Sequence, residues 1–276
     1  MRGGAVIGLA LLALIAGHPG QAQTSVTSST SLRSLETSND ALAWQAVGRL
    51  DMAHGAQCTG TLIAPDLVLT AAHCVFHSGT RIEPQGITFR AGLTHGAAAA
   101  ERPVAQVEVP AGYDPNSRHN GENIRHDVAL VRLAEPIPTH VLDPFALFSG
   151  TVRNGPVSVV SYGQGRMDTL SRQKQCQVLG ARNRIIAVDC DVTFGSSGAP
   201  VFTHRNGRGQ IVSVISGGGD FNGVRVAFGM ELTGLVDDLK RQMRANLPRP
   251  QATVRRLGVG GEKTGTGAKF VTAKGS

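Results

Sequence analysis

Aromatic side chains are scarce in this chain, at 4% of 276 residues, while glycines number 35. That balance excludes a coiled coil and favours many turns over long helices. Charged residues are also few, at 17%, and 41% are apolar. Such a chain buries a substantial core, as one large or two small domains, and is not disordered throughout. No apolar run is long enough to be a membrane span: the longest, Ala5 to Ala16, has twelve residues, where a spanning helix needs roughly 20.

Positive charge is missing from most of the sequence. The formal +7 arises because residues 240–276 hold nine Lys or Arg and one Glu, which leaves 18 basic and 19 acidic residues in the first 239. The basicity therefore belongs to the C-terminal end. The partner it suggests is a weakly held anionic surface, with no specific nucleic-acid recognition.

What is present begins with an export signature. Met-Arg, the apolar stretch and then Pro19-Gly20-Gln21-Ala22 form the three parts of a secretory signal, with cleavage expected after Ala22. Residues 1–22 are read as a signal peptide, and the mature protein as secreted or periplasmic. Export permits disulfides. Cys58 and Cys74 lie 16 residues apart and Cys176 and Cys190 lie 14 apart, so two local bridges are the simplest pairing.

Residues 23–40 are rich in Ser and Thr, which suits a flexible leader or propeptide, and the fold is expected to begin near Ala41. From there strand-like segments recur: Trp44 to Leu50, Gly60 to Ile63, Leu67 to Thr70, Ile87 to Ala91, Val104 to Val109, Val128 to Leu133, Val157 to Tyr162, Gln177 to Leu179, Arg184 to Cys190, Pro200 to Phe202, Ile211 to Ser216 and Val224 to Met230. Gly, Pro, Asn and Asp bound them. Many short strands without intervening helical patterns argue for an all-β barrel or sandwich. One segment reads as a helix, Glu231 to Arg244, where Leu232, Leu235, Val236, Leu239 and Met243 share a face. The domain is read as residues 41–245. Residues 246–276, Gly-rich and aperiodic, read as a disordered basic tail.

Three segments carry the chemistry: Leu69-Thr70-Ala71-Ala72-His73-Cys74, His126-Asp127-Val128-Ala129-Leu130-Val131-Arg132-Leu133 and Phe194-Gly195-Ser196-Ser197-Gly198-Ala199-Pro200. A serine hydroxyl is a poor nucleophile at neutral pH. It needs an imidazole to take its proton and a carboxylate to fix that imidazole's tautomer, and His, Asp and Ser occur here in that order. An oxyanion hole of backbone N–H groups requires a tight turn that side chains would obstruct, so Gly195 and Ser197 are the expected donors.

On these segments the chain resembles a trypsin-like serine protease of chymotrypsin fold, of the bacterial secreted kind related to the glutamyl endopeptidases, over roughly Ala41 to Met243. The run Cys58-Thr59-Gly60-Thr61-Leu62-Ile63 followed by Thr70-Ala71-Ala72-His73-Cys74 resembles that family's bridge around its catalytic histidine. The resemblance implies two six-stranded antiparallel β-barrels and a C-terminal helix, with the active site between the barrels. It further implies that His73 is the general base, Asp127 its orienting acid and Ser197 the nucleophile. Ser161-Tyr162-Gly163 resembles the family's Gly-Trp-Gly strand end. Ser216-Gly217-Gly218 corresponds to its substrate strand, with Ser216 bonded to the triad acid and the Gly218 backbone pairing with an extended substrate. Protein or peptide substrates, no cofactor, no metal and a monomeric state complete the expectation.

Two departures from the family bear on regulation and specificity. Animal trypsins carry Asp immediately before the catalytic Ser, to pair with a newly cut N-terminus. This chain has Ser196 there, which removes that ion pair and with it the switch. Asp191, six residues before Ser197, occupies the position of the trypsin pocket carboxylate and implies cleavage after Lys or Arg; a hydrogen-bonded structural Asp is the competing reading. Glutamate specificity is disfavoured, because Ile215 stands where a His is expected.

Other classes fit less well. An α/β-hydrolase elbow requires Gly where Ala199 stands, and its acid and His follow the Ser. His73 and His77 lack the Glu of a zincin helix, and His119 and His126 flank a polar loop that reads as solvent-facing. Gly217 to Gly219 is too short for a phosphate cradle. The remaining alternative is a noncatalytic protease-fold binding protein whose basic tail contacts an anionic surface.

Overall fold

A computed structural model describes Met1 and residues 29–117, 119–204 and 208–247. The signal-peptide reading on residues 1–22 lies outside the described residues apart from Met1. So does the tail reading, apart from residues 246 and 247.

The fold begins earlier than the sequence suggests. Strand β1 (Leu32–Ser34) pairs antiparallel with Ser171–Gln173. Thr30 N–H donates to the Gln175 carbonyl at 2.8 Å and Leu35 N–H to the Leu170 carbonyl at 2.8 Å, and the Leu35 side chain is buried. A short helix, α1 (Ser38–Leu42), follows, capped by Thr37. The Ser/Thr-rich composition gave no sign of this, because a three-residue edge strand has no periodicity to read. Residues 30–40 are thus built onto the fold, as an ordered segment rather than a flexible one.

The first barrel contains β2 (Val47–Met52), β3 (Gln57–Ala64) and β4 (Leu67–Thr70). A small hairpin, β5 (Phe76–His77) with β6 (Thr80–Arg81), projects from it. Strands β7 (Ile87–Ala91) and β8 (Ala100–Glu108), the turn of helix α2 (Gly121–Ile124) and β9 (Ala129–Leu133) complete it. The order β2-β3-β4-β9-β8-β7 closes on itself. Alternation drives this: in β7, Ile87, Phe89 and Ala91 are buried while Thr88 and Arg90 face outward. Gly48 is dictated by the close approach of β2 to β7, since a Cβ there would lie 2.5 Å from the Phe89 ring.

The second barrel is built from β10 (Gly155–Ser161), β11 (Ser171–Arg182), β12 (Ile185–Val188), β13 (Pro200–Thr203), β14 (Gln210–Phe221) and β15 (Val224–Met230). Their order is β11-β10-β13-β14-β15-β12, closed by β11 against β12, with β1 added outside β11. The Asn222-Gly223 pair, both at positive φ, makes the two-residue turn that joins β14 to β15. The architecture is thus two closed six-stranded antiparallel barrels, and all twelve expected strands fall within it.

Helix α3 (Leu235–Ala245) buries Leu235, Val236, Leu239 and Met243. It starts four residues later than its apolar face suggests. Gly234 sits at φ 78, outside the helical region, and Glu231 N–H is taken by the Arg184 carbonyl at 2.9 Å. The helix returns to the first barrel through Glu108 of β8. That buried carboxylate accepts from Gln242 Nε2 at 2.7 Å, Gln106 Nε2 at 2.9 Å and Asn246 Nδ2 at 3.1 Å, the satisfaction a buried charge requires. Among the described residues no helix is long and apolar enough to cross a membrane.

The N-terminal strand should belong to the cooperative unit. Leu35→Ala is expected to cost about 2 kcal/mol, the low end for a buried Leu, read as a lower urea midpoint at constant m. An unchanged midpoint would return residues 29–36 to the status of a detachable leader.

Candidate active site

His73 stands on the 3-10 turn Ala72–Val75 that ends β4. Cys74 within that turn is bonded to Cys58 of β3, and Cys176 of β11 to Cys190, the two local pairs. The neighbouring Ala71 and Ala72 are fully buried, so the turn cannot shift without opening the core. Asp127, between α2 and β9, holds His73 twice: the backbone N–H donates to Oδ1 at 2.9 Å and the ring Nδ1 to Oδ2 at 2.8 Å. A carboxylate only accepts, so the proton sits on Nδ1 and Nε2 is left as the free base. Ser216 of β14 adds a third bond, its hydroxyl donating to Asp127 Oδ2 at 2.5 Å.

These contacts decide the proton affinities. Burial favours protonation of the Asp127 carboxyl, but the charge of His73 and the hydrogen bonds from His73 and Ser216 prevail and hold it below the usual carboxylate range. Burial works against a charged His73 imidazole, and the Asp127 carboxylate outweighs it, raising His73 above the ordinary value.

Ser197 follows a loop shaped by two left-handed glycines, Gly195 at φ 93 and Gly198 at φ 77. At Gly198 a Cβ would lie 2.3 Å from the Thr59 carbonyl oxygen, so no other residue fits. Thr59 ties this loop to the first barrel. Its N–H donates to the Ser197 carbonyl at 2.8 Å and its hydroxyl to the Gly195 carbonyl at 2.8 Å, while the same hydroxyl accepts from Tyr162 N–H at 3.1 Å. With both carbonyls turned away, the N–H groups of Gly195 and Ser197 donate to nothing among the described residues. They are open to the cleft, as an oxyanion hole requires.

One cleft of about 1190 Å³ is lined by His73, Asp127, Gly195, Ser197, Ser216, Gly217, Gly218 and Asp191. The structure thus brings every expected site residue to one place. The Ser197 hydroxyl itself makes no hydrogen bond among the described residues, and His73 Nε2 lies 3.8 Å from Cys74 Sγ. Beyond Val214, β14 leaves β13 and pairs only with β15, so the edge at Gly217 and Gly218 is free for another strand.

The pocket reading of Asp191 needs adjustment. It lines the cleft but is exposed rather than buried at a pocket base. Its N–H is held by Gln173 Oε1 at 2.7 Å, which keeps the segment after the Cys176–Cys190 bridge on the wall. The carboxylate also acts on Arg166, whose pKa burial lowers to about 10 against the pull of Asp191. Asp189 is the structural acid of this segment: it accepts from Gln177 N–H at 2.5 Å and from the Ser29 hydroxyl at 2.8 Å.

Three residues escaped the sequence reading. Arg166 donates to the Ser161 carbonyl at 2.6 Å and to Ser196 Oγ at 3.2 Å. Ser196 Oγ in turn donates to the Tyr162 carbonyl at 3.0 Å, which braces the turn before Ser197. No local pattern marks Arg166. Phe194 is 87% exposed at the cleft lip; an aromatic beside Gly-Ser-Ser-Gly, in a chain with few, was the available signal. His119 is exposed, as expected, yet its Nε2 bonds Ser216 Oγ at 3.0 Å and the residue lines the cleft. His126 stays apart, on the Glu122 carbonyl. The sulfurs nearest His73 are locked in a disulfide and offer no thiolate to a metal.

Residues 58–212 match the family described as trypsin-like peptidase domain. Among curated proteins, the chain is 38% identical over 100 residues to the modular serine protease of Drosophila melanogaster, covering 33% of this chain and 15% of that one. It is 22% identical over 177 residues to glutamyl endopeptidase of Bacillus licheniformis, covering 64% and 54%. The chain therefore spans a small part of the first relative and about half of the second. A solved structure of Glu endopeptidase in complex with MPD superposes with a TM-score of 0.64 at 19% identity, over 77% of this chain and 97% of that one; this likeness is one of fold.

Thr59→Val keeps the shape at the barrel junction but strands the Gly195 carbonyl and the Tyr162 N–H. An unsatisfied buried polar group costs about 1–3 kcal/mol, so a loss of about 2 kcal/mol or more is expected in urea unfolding. A wild-type midpoint would mean that the hydroxyl is not the tie between the barrels.

Proposed function

The chain belongs to the trypsin-like peptidase family and is a serine protease by family and fold, and from that premise we propose a secreted endopeptidase that works through Ser197, His73, Asp127 and an acyl-enzyme. The observation that carries this reading is the double grip of Asp127 on His73, in a cleft that also holds Ser197 and two unclaimed N–H donors. Export is supported by two disulfides, which persist in oxidising compartments, and by the export signature of residues 1–22.

The proposed steps follow from the donor and acceptor roles. An extended peptide adds to the free edge of β14 and presents its scissile carbonyl to Ser197. The Ser197 hydroxyl turns toward His73 Nε2, gives up its proton there, and its oxygen bonds to the carbonyl carbon. The negative oxygen of the tetrahedral adduct takes the N–H groups of Gly195 and Ser197. His73 then returns the proton to the departing amine, the C–N bond breaks, and an ester to Ser197 remains. Water, deprotonated by His73, cleaves that ester, releases the acid and restores the Ser197 hydroxyl. Asp127 keeps the Nδ1 proton throughout and balances the imidazolium that forms twice.

We also propose that the enzyme acts as a monomer, and that its basic C-terminal segment touches anionic surfaces weakly. Constitutive activity is part of the same reading: the turn before Ser197 is braced by Arg166 and Ser196 rather than by a charge at the N-terminus.

A fluorophosphonate should label Ser197 and not Ser196, whose hydroxyl is committed to the Tyr162 carbonyl. In kcat/KM against pH, the acid limb should have its midpoint above about 6.5, the ordinary imidazole value, because the base must be neutral and Asp127 raises its proton affinity. Label on Ser196 would overturn Ser197 as the nucleophile, and no label would favour the noncatalytic protease-fold protein; a midpoint well below 6.5 would dissociate His73 from the limb.

Cleavage after Lys or Arg is proposed on Asp191, with a magnitude set by its exposure. Exposed ion pairs are worth about 0.2–1 kcal/mol, so Asp191→Asn should reduce kcat/KM for basic substrates by about fivefold or less and leave small apolar ones unchanged. Equal effects on both substrate sets would remove Asp191 from specificity.

A further inference from the structure

His119 is a polar side chain of the cleft for which the proposed steps have no use and which bonds a partner of Asp127. It arrives on the loop between β8 and α2, shortly before Asp127 and far in sequence from Ser216, and its Nε2 lies 3.0 Å from Ser216 Oγ. Its ring also covers Gly217, where a Cβ would lie 2.9 Å from an imidazole carbon. The glycine is what lets the imidazole reach the serine.

The direction of this contact follows from proton counting. The Ser216 hydroxyl has one proton, and Asp127 Oδ2 at 2.5 Å is an acceptor only. That proton therefore points to Asp127, and the Ser216 oxygen can only accept from His119. His119 carries its proton on Nε2, giving an unbroken relay from His119 through Ser216 to Asp127 and from His73 Nδ1 to the same carboxylate oxygen.

Resting on the triad reading above, we propose that His119 is a positioning residue for the triad: its Nε2–H fixes the Ser216 hydroxyl on Asp127 and so sets how strongly Asp127 holds the proton of His73. A hydrogen bond to a charged carboxylate spreads its charge, and a donor on that donor's oxygen strengthens the effect. The less localised the charge on Asp127, the lower the proton affinity of His73 and the more base is present at neutral pH. His119 performs this as a neutral group. Burial lowers its own pKa, the Asp127 carboxylate opposes that, and the charge of His73 adds to it; these two are the ionisable groups that act on it.

Two variants and one label test this. In His119→Phe the donor is lost while a ring remains over Gly217. The acid limb of kcat/KM should then move up by roughly half a pH unit, and kcat at pH 7 should fall about two- to threefold with KM little changed. His119→Gln offers an amide donor to the same oxygen and should return the limb toward wild type. Melting curves on both variants establish that each is folded, and fluorophosphonate labelling of the wild type at Ser197 is run alongside. If Ser197 labels and both variants keep the wild-type limb, or both change KM alone, the role of His119 is overturned while the triad stands. If both variants shift the limb equally, the donor is not the cause and the inference also fails. If the wild type takes no label at Ser197, the triad reading falls and His119 with it.

Discussion

Thr59 holds the two halves of this molecule in register. Its backbone N–H reaches the Ser197 carbonyl and its hydroxyl the Gly195 carbonyl, while Tyr162 N–H and the Thr70 hydroxyl donate back to it. One residue of the first barrel therefore contacts the turn that carries Ser197, the strand end of the second barrel and the strand that leads to His73. Because the Gly195 and Ser197 carbonyls are both spent on Thr59, the N–H groups of the same turn face the cleft. The disulfide beside it, Cys58 to Cys74, ties the adjoining residue to the turn of His73. The placement of His73 relative to Ser197 is thus set by a short stretch of one barrel, from Cys58 and Thr59 to Cys74, and not by a flexible interface.

Much of the fold was legible because its rules are local. Alternation in β7 and the Asn222-Gly223 turn between β14 and β15 need no distant information. Strand β1 was not legible, since three residues at a sheet edge take their stability from β11 and not from their own pattern. The start of α3 was misread for a related reason: Leu232 continues the apolar face, but a single dihedral at Gly234 breaks the helix before it. Periodicity reports which side is buried and does not report where the backbone turns.

The candidate site divides in the same way. His73, Asp127 and Ser197 each sit in a distinctive string of neighbours, and those strings are short because each residue is oriented by the adjacent turn. Arg166 and His119 have no such strings. Each reaches a serine side chain through the fold, at 3.2 Å and 3.0 Å, and the serine rather than its partner is what the motif displays. Asp191 lines the cleft and is exposed; sequence spacing bears on position along a strand end but carries no information on solvent exposure.

The replacement of an acid by Ser196 also changes what controls the site. A brace made from a carboxylate and a terminal amine depends on a group that loses its charge near pH 7.7–8.0. Here the cation is a guanidinium, and even after burial its pKa is lowered only to about 10; its partner is a hydroxyl with no charge to lose. The brace is therefore intact over the whole range in which an imidazole titrates. It also avoids much of the desolvation that a buried ion pair must overcome, because one member is neutral and Arg166 is only partly buried. A change in protonation between about pH 5 and 8 then falls on groups such as the imidazoles of the cleft, where His73 bonds Asp127 directly and His119 reaches it through Ser216, and not on the Arg166–Ser196 brace.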